Sequence, residues 1–290
     1  MQTYVADTLA IARSRFGRRH YRTNGLFDGR KLLASFKAYD RTLHDGRQRL
    51  RALGIGAVFT PEGFRGRGYA TAMLGAALDR ARSDGYDFAY LFSDVRPQFY
   101  AAIGFRALPS RQISLRADAL PAKRLTVAPL RESDWRAIRR CYDLSARGRL
   151  RFERTPLVWE WVRLRMRQQS EHAAGQPFNL TIRHGRGIGA YVLGVRDPER
   201  DTYFVDEFGF ADELAALAVP SLLRAAAGDL GRIGGWLPPD GARELLPKGN
   251  VRTRRTPILM AVPLSPSGAR AVDKLTVRGT GDCCWATDHL

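Results

Sequence analysis

Cysteine is nearly absent from the chain: Cys141, Cys283 and Cys284 are the only three in 290 residues. None forms a Cys-x-x-Cys pair, and a bridge between the adjacent two would close a strained ring, so neither a disulfide framework nor a thiolate metal site is expected. Histidine is sparse as well. His20, His44, His172, His184 and His289 stand singly, without the spacing of metal ligands. Metal catalysis is therefore set aside. No run of about 18 apolar residues could span a bilayer. The N-terminus, MQTYVADTLAIARSRFG, lacks the basic region, apolar stretch and cleavage site of a secretory signal. A cytoplasmic protein without a membrane partner is the expectation. Lysine is scarce too, with five among the 47 basic residues.

What is present is an ordinary globular composition, 44% hydrophobic and 26% charged. The length suits two domains of common size. A formal charge of +18 first suggests nucleic acid, because clustered basic residues displace counterions from phosphates. Here the surplus is shared between both halves of the chain, with no basic cluster and no aromatic platform. A nucleic-acid partner is not favoured, whereas a phosphate-bearing cofactor gains from such a field.

Along the chain, residues 3–16 read as a helix. From Arg30 to Thr60 the pattern turns to alternation, with Asp45-Gly46 as a hairpin turn between two runs. Apolar residues at Ala70, Met73, Leu74, Ala77, Leu78 and Ala81 then make a helical stripe. A buried strand is expected at 88–93, and a short helix from Pro97 that ends at Gly104. From residue 125 the order partly repeats: a strand, two helices, three alternating runs up to Phe210, a helix at 211–227 and two further strands. The fold class is α+β, a mixed α/β chain with two similar sheet-and-helix units.

Between the strand ending at Thr60 and the helix beginning near Tyr69, the chain concentrates Gly63, Gly66 and Gly68 with Arg65 and Arg67. Glycines admit positive φ and a close ligand, and free N–H groups at a helix start bind anions. This is a phosphate cradle. It is not a Walker A loop, because no Lys-Ser/Thr follows the last glycine, and Thr71 stands where a dinucleotide fingerprint needs its third glycine. Arg51-Ala-Leu-Gly54-Ile-Gly56 carries the same Arg-x-x-Gly-x-Gly/Ala string, but it lies within a strand with no helix start behind it.

The pattern Arg65-x-x-Gly68-x-Ala70, followed at family spacing by Phe99-Tyr100 and Gly104-Phe105, resembles the two signatures of the GCN5-related N-acetyltransferases, the GNAT superfamily. The resemblance implies acetyl-CoA as co-substrate and no metal. Its pantetheine arm would lie between splayed strands against Val58, Phe59 and Thr60, with its pyrophosphate on Arg65, Gly66, Arg67, Gly68, Tyr69 and Ala70. It also implies direct attack of a primary amine on the thioester. Tyr100 would act as general acid, its reference pKa of about 10 lying above that of a thiol at about 8.5. For the base, Glu62, Asp94, His44 and a water chain all stay open. The acceptor would be a small-molecule or peptide amine, and Glu62 and Asp94 would suit a cationic one.

The two-unit plan resembles the enhanced-intracellular-survival type of acetyltransferase, without its sterol-carrier-like third domain. The expected division is a catalytic GNAT domain at 1–120, a degenerate GNAT-like domain at 121–264 and a tail with a short strand at 265–290. No clear first strand precedes the helix at 3–16, which raises a truncated gene start. In the second unit, ADELAALAVP stands where the phosphate turn belongs, and Asp206, Glu207, Asp212 and Glu213 would repel a pyrophosphate. The terminal carboxylate, carried on Trp285 to Leu290, is a further candidate base. A homo-oligomer is compatible with the sequence, and a non-catalytic acyl-CoA-binding regulatory module would share the same turn.

Overall fold

The computed structural model describes all residues except 1, 47, 173–174, 185–186, 278–282 and 290. The chain begins with helices α1 (Gln2–Arg13) and α2 (Arg15–His20). It continues through β1 (Tyr21–Asp28), β2 (Lys31–Asp45), β3 (Gln48–Phe59), α3 (Tyr69–Ser83), β4 (Phe88–Ser93), α4 (Pro97–Ala101), β5 (Arg106–Ala107) and β6 (Arg111–Arg116). Then follow β7 (Val127–Pro129), α5 (Trp135–Ser145), β8 (Leu150–Phe152), α6 (Pro156–His172), β9 (Gln176–Pro177), β10 (Leu180–His184), β11 (Gly187–Asp197) and β12 (Thr202–Phe210). Last come α7 (Glu213–Ala227), β13 (Arg232–Trp236), β14 (Asn250–Thr253), β15 (Ile258–Pro263) and α8 (Pro266–Val277).

These strands make two mixed sheets. The first runs β1-β2-β3-β4-β15-β5, with β8 also on β2; the second runs β14-β6-β13-β12-β11-β10-β7, with β9 on β11. The boundaries expected at 120/121 and 264/265 do not follow sheet membership. β6, from the first stretch, pairs with β13 and β14 in the second sheet. β15, expected in the second unit, lies between β4 and β5 in the first. An apolar strand can be recognised locally, but the sheet that receives it depends on which edge is open, and β4 offers one. The tail differs as well: residues 265–290 hold α8 and a short turn at Ala286–Asp288 rather than a strand among the described residues. Ser265 opens α8 by accepting the N–H of Gly268 on its hydroxyl (3.0 Å), and Ala271, Val272 and Leu275 form its buried stripe.

The first sheet is covered on both faces. Met73, Leu74 and Leu78 of α3 pack with Phe36, Leu53 and Ile55 on one side. The α8 stripe packs with Leu50, Phe88, Tyr90 and Leu259 on the other. A third cluster joins α5 and α7 to β10–β12 and takes in Phe16, Trp159 and Trp161. Burying such aromatic and branched side chains removes about 1.5–3 kcal/mol worth of apolar surface from water at each position.

Where these layers meet lies a buried ionic cluster. Arg154 forms an ion pair with Glu207 of β12 (2.6 Å) and donates from Nε to Asp288 (3.1 Å), while Arg41 of β2 donates to the same Asp288 (3.4 Å). Tyr191 and Thr287 donate to Glu207. Two guanidinium groups thus balance two carboxylates, and the tail is tied to both sheets.

Candidate active site

Strand β3 is irregular near its end. Its register with β2 jumps from Lys37↔Gly56 to Ser35↔Phe59, which leaves one extra residue on β3, and Ala57 takes φ 47° there. A residue with a Cβ holds that conformation only where the surroundings impose it. The consequence is a strand that turns away from its neighbour. Parallel pairing with β4 runs from Ala52↔Phe88 to Ile55↔Leu91 and stops. Beyond it, Val58, Phe59 and Thr60 carry backbone groups that no β4 residue engages.

The chain then passes through the arginine–glycine turn into α3. Gly66 and Gly68 take φ 75° and 79°, the left-handed region in which a side chain is strained. Arg65 Nε donates to Thr60 O (3.2 Å), which closes the turn, and Arg67 stacks over Phe64 at 5.8 Å. The first hydrogen bond of the helix runs from Ala72 N–H to Gly68 O (2.9 Å). The N–H groups of Tyr69, Ala70 and Thr71 therefore have no intrahelical acceptor and face outward from the helix start.

Tyr100 sits on α4, which opens with Pro97 and closes at Gly104 (φ 96°), where Phe105 N–H returns to Tyr100 O (3.0 Å). Its ring stands edge-on to Phe99 at 5.0 Å. Among the described residues its hydroxyl has no hydrogen-bond partner. Burial, with the nearby Asp94 charge adding to it, pushes the phenol above its ordinary pKa.

One cavity of about 630 Å³ is lined by Val58, Phe59, Thr60, the turn at Arg65, Gly66 and Gly68, Tyr69 and Ala70 of α3, and Tyr100. Arg67 belongs to the turn but points its guanidinium back over Phe64. Phe59 and Val95 add exposed apolar surface to the same cavity, at 50% and 75% exposure. These features fit an extended thiol carrier with a pyrophosphate: donors at the helix start, backbone at the strand end and apolar cover between.

The base candidates separate. Asp94 follows β4 and lies within electrostatic reach of Tyr100; burial raises its pKa and the Arg165 charge opposes the rise. Glu62 sits exposed in the short turn Glu62–Phe64 and does not line the cavity. His44 lies near the opposite end of β2, paired with Glu153 at 3.1 Å. The terminal carboxylate falls on Leu290, outside the described residues.

Residues no local pattern singles out complete the neighbourhood. Thr256 donates from its hydroxyl to Asp94 O (3.0 Å). His289 packs against Phe92 (5.0 Å) and Trp236 (5.9 Å). Burial, with Arg165 and Arg254 adding to it, pushes its pKa down to about 4, so the imidazole is neutral at pH 7. These groups come from β13, the approach to β15 and the tail, so only folding brings them to the end of β4.

In the second sheet, β12, α7 and β13 repeat the strand–helix–strand unit in parallel register. The anion position there is filled from within: Asp212 caps α7, accepting Ala215 N–H at 2.8 Å. Burial, with Glu207 adding to it, pushes Asp206 up to about 7, while Glu207 is engaged by Arg154.

Residues 5–108 match the family model of the acetyltransferase (GNAT) domain. Over 85% of its length the chain superposes on a GCN5-related N-acetyltransferase from Anabaena variabilis, with TM-score 0.68 and 15% identity, spanning 64% of that chain. A GCN5-related N-acetyltransferase from Kribbella flavida gives TM-score 0.66 at 17% identity, with 92% of this chain and 65% of that one covered. Eis1 from Mycobacterium abscessus gives TM-score 0.62 at 16% identity, with 88% and 66% covered. The chain thus spans slightly less than two thirds of these solved relatives. No curated protein matches by sequence. Residues 5–108 therefore resemble the acetyltransferase (GNAT) domain. The chain shares its fold with these solved structures, that of Eis1 among them.

Proposed function

We propose that this protein is an acetyl-CoA-dependent N-acetyltransferase that passes an acetyl group directly to a primary amine. The observation that carries the reading is the single cavity that joins the diverging end of β3, the free N–H groups of α3 and Tyr100. Acetyl-CoA supplies an activated thioester carbonyl. Val58, Phe59 and Thr60 bind the extended arm with backbone groups, in the manner of an added strand. The N–H groups from Arg65 to Ala70 hold the pyrophosphate.

Asp94 receives the incoming amine and takes a proton from it, directly or through water, its burial raising its basicity. Tyr100 gives a proton to the departing thiolate. Its raised pKa keeps it protonated until that charge develops. Asp94 is preferred over Glu62 because its charge reaches Tyr100.

Two measurements test this reading: titration of CoA and acetyl-CoA by calorimetry, and thiol release with a panel of primary amines. Micromolar binding and amine-dependent release are expected. No CoA binding would end the proposal, and binding without release for any amine would make the protein an acyl-CoA-binding regulatory module instead.

A further inference from the structure

A second cavity, of about 420 Å³, lies on one face of the second sheet and ends at Thr256, which bonds the backbone of Asp94. Its floor follows from strand register. Thr202, Arg232 and then Phe204, Gly234, Ser114 and Asn250 form successive cross-strand rows, and Trp236, Gln112 and Arg252 form the next. Alternation puts all of them on the same face. Leu115 and Ile233 point to the opposite side and are buried.

The groove has a direction. At one end Thr256, which lines it, bonds to the backbone of Asp94, and Trp236 meets Phe92 of β4 at 5.5 Å. That end abuts the segment that carries Asp94. Among the described residues the lining holds Arg232, Arg252 and Arg254 and no carboxylate, with Arg232 in the row farthest from Trp236.

Arginine is abundant in this chain, so its mere presence decides nothing. Its partners do. Arg22 and Arg106 on other surfaces are paired with aspartates, and so is Arg116, the cross-strand neighbour of Arg232. Arg232 instead donates to Ser114 Oγ (2.8 Å) and Arg252 to Asn250 Oδ1 (3.3 Å), both neutral oxygens. Arg254 is committed elsewhere: it donates to Pro257 O (2.8 Å) and stacks on Trp236 at 3.6 Å, fixing the groove wall. Two exposed guanidinium groups thus keep donors available for an oxyanion, the geometry in which arginine binds carboxylate or phosphate best.

The geometry points to an acceptor that is an amine with an anionic far end, a carboxylate or a phosphate, lying along this groove with its ammonium group at Asp94 and its oxyanion at Arg252 and Arg232. The inference rests on the acetyltransferase reading and replaces the cationic acceptor that Glu62 and Asp94 suggest in the sequence. Strand spacing of about 4.8 Å and a rise of about 3.3 Å per residue set a reach suited to a small molecule rather than a folded protein.

The test uses the full chain saturated with CoA, so that binding is read without turnover. Four probes share one chain length and differ in their far end: pentylamine, cadaverine, the aminopentanoate with a terminal amine, and aminopentyl phosphate. The anionic probes are expected to bind about tenfold or more tighter than pentylamine, with cadaverine weakest. Whichever of the two anions binds tighter names the source of the oxyanion. The variants R252Q and R232Q should shrink the advantage toward unity. Cadaverine binding as tightly as the anionic probes, or an anionic advantage that survives in the double variant, overturns the inference. Failure of CoA itself to bind would instead remove the acetyltransferase reading.

Discussion

The placement of Tyr100 depends on one helical turn. Gly104 lets the chain reverse, Phe105 N–H bonds back to Tyr100 O, and the ring packs beside Phe99 with its hydroxyl left without a partner among the described residues. Tyr100→Phe keeps this packing and removes only the proton donor. Turnover should fall by about 10²-fold or more while CoA affinity stays within about twofold, as read by thiol release and calorimetry. Unchanged turnover would take Tyr100 out of the acid role. Because burial and Asp94 both push the phenol up, a descending alkaline limb caused by its ionisation should lie above its ordinary pKa of about 10.

At the scale of elements, the decisive joint is the one between β2, the segment after β8, β12 and the tail. Arg154 is enclosed completely, stacked on Tyr142 at 4.1 Å and balanced by Glu207 and Asp288. Charges this deep are stable only as a set. Arg154→Met would strand Glu207, leave Asp288 to Arg41 alone and cost about 3–5 kcal/mol, read as a lower denaturant midpoint. It should also loosen the tail, and so the packing of His289 on Phe92, since Asp288 is the neighbour that Arg154 holds. A midpoint within about 0.5 kcal/mol of the parent's would show the cluster to be dispensable.

For the molecule as a whole, the exchange of β6 and β15 makes the two sheets interdependent. Without β15, β4 becomes an open edge although nearly all of its residues are buried in the intact chain. An unpaired apolar edge invites aggregation. A fragment of residues 1–120, which holds the phosphate turn and Tyr100, is expected to lack a cooperative thermal transition and to bind no CoA. A soluble fragment that melts cooperatively and binds CoA would refute this dependence. The groove on the second sheet makes the same point about function, since its arginines lie more than a hundred residues beyond Tyr100 in the chain.

Most of the elements were legible from local pattern, and so was the turn proposed to hold the cofactor, because it is written in contiguous residues. Arg65 to Ala70 need positive φ and a helix start, and Phe99 to Phe105 need one turn and one glycine. The bulge at Ala57, which opens the strands, had no such signature. The tail helix α8 was hidden by its short, polar-flanked stripe. Strand membership was decided only by tertiary structure: β15 looks like any apolar strand, and open edges with long-range packing chose its sheet. The same holds for Asp94, Thr256, Trp236 and His289, which meet because β13, the approach to β15 and the tail converge on the end of β4. Local conformational preference thus determined the glycine turn and helix start that the proposed function assigns to a CoA pyrophosphate. Long-range pairing and burial decided which side chains gather at the end of β4.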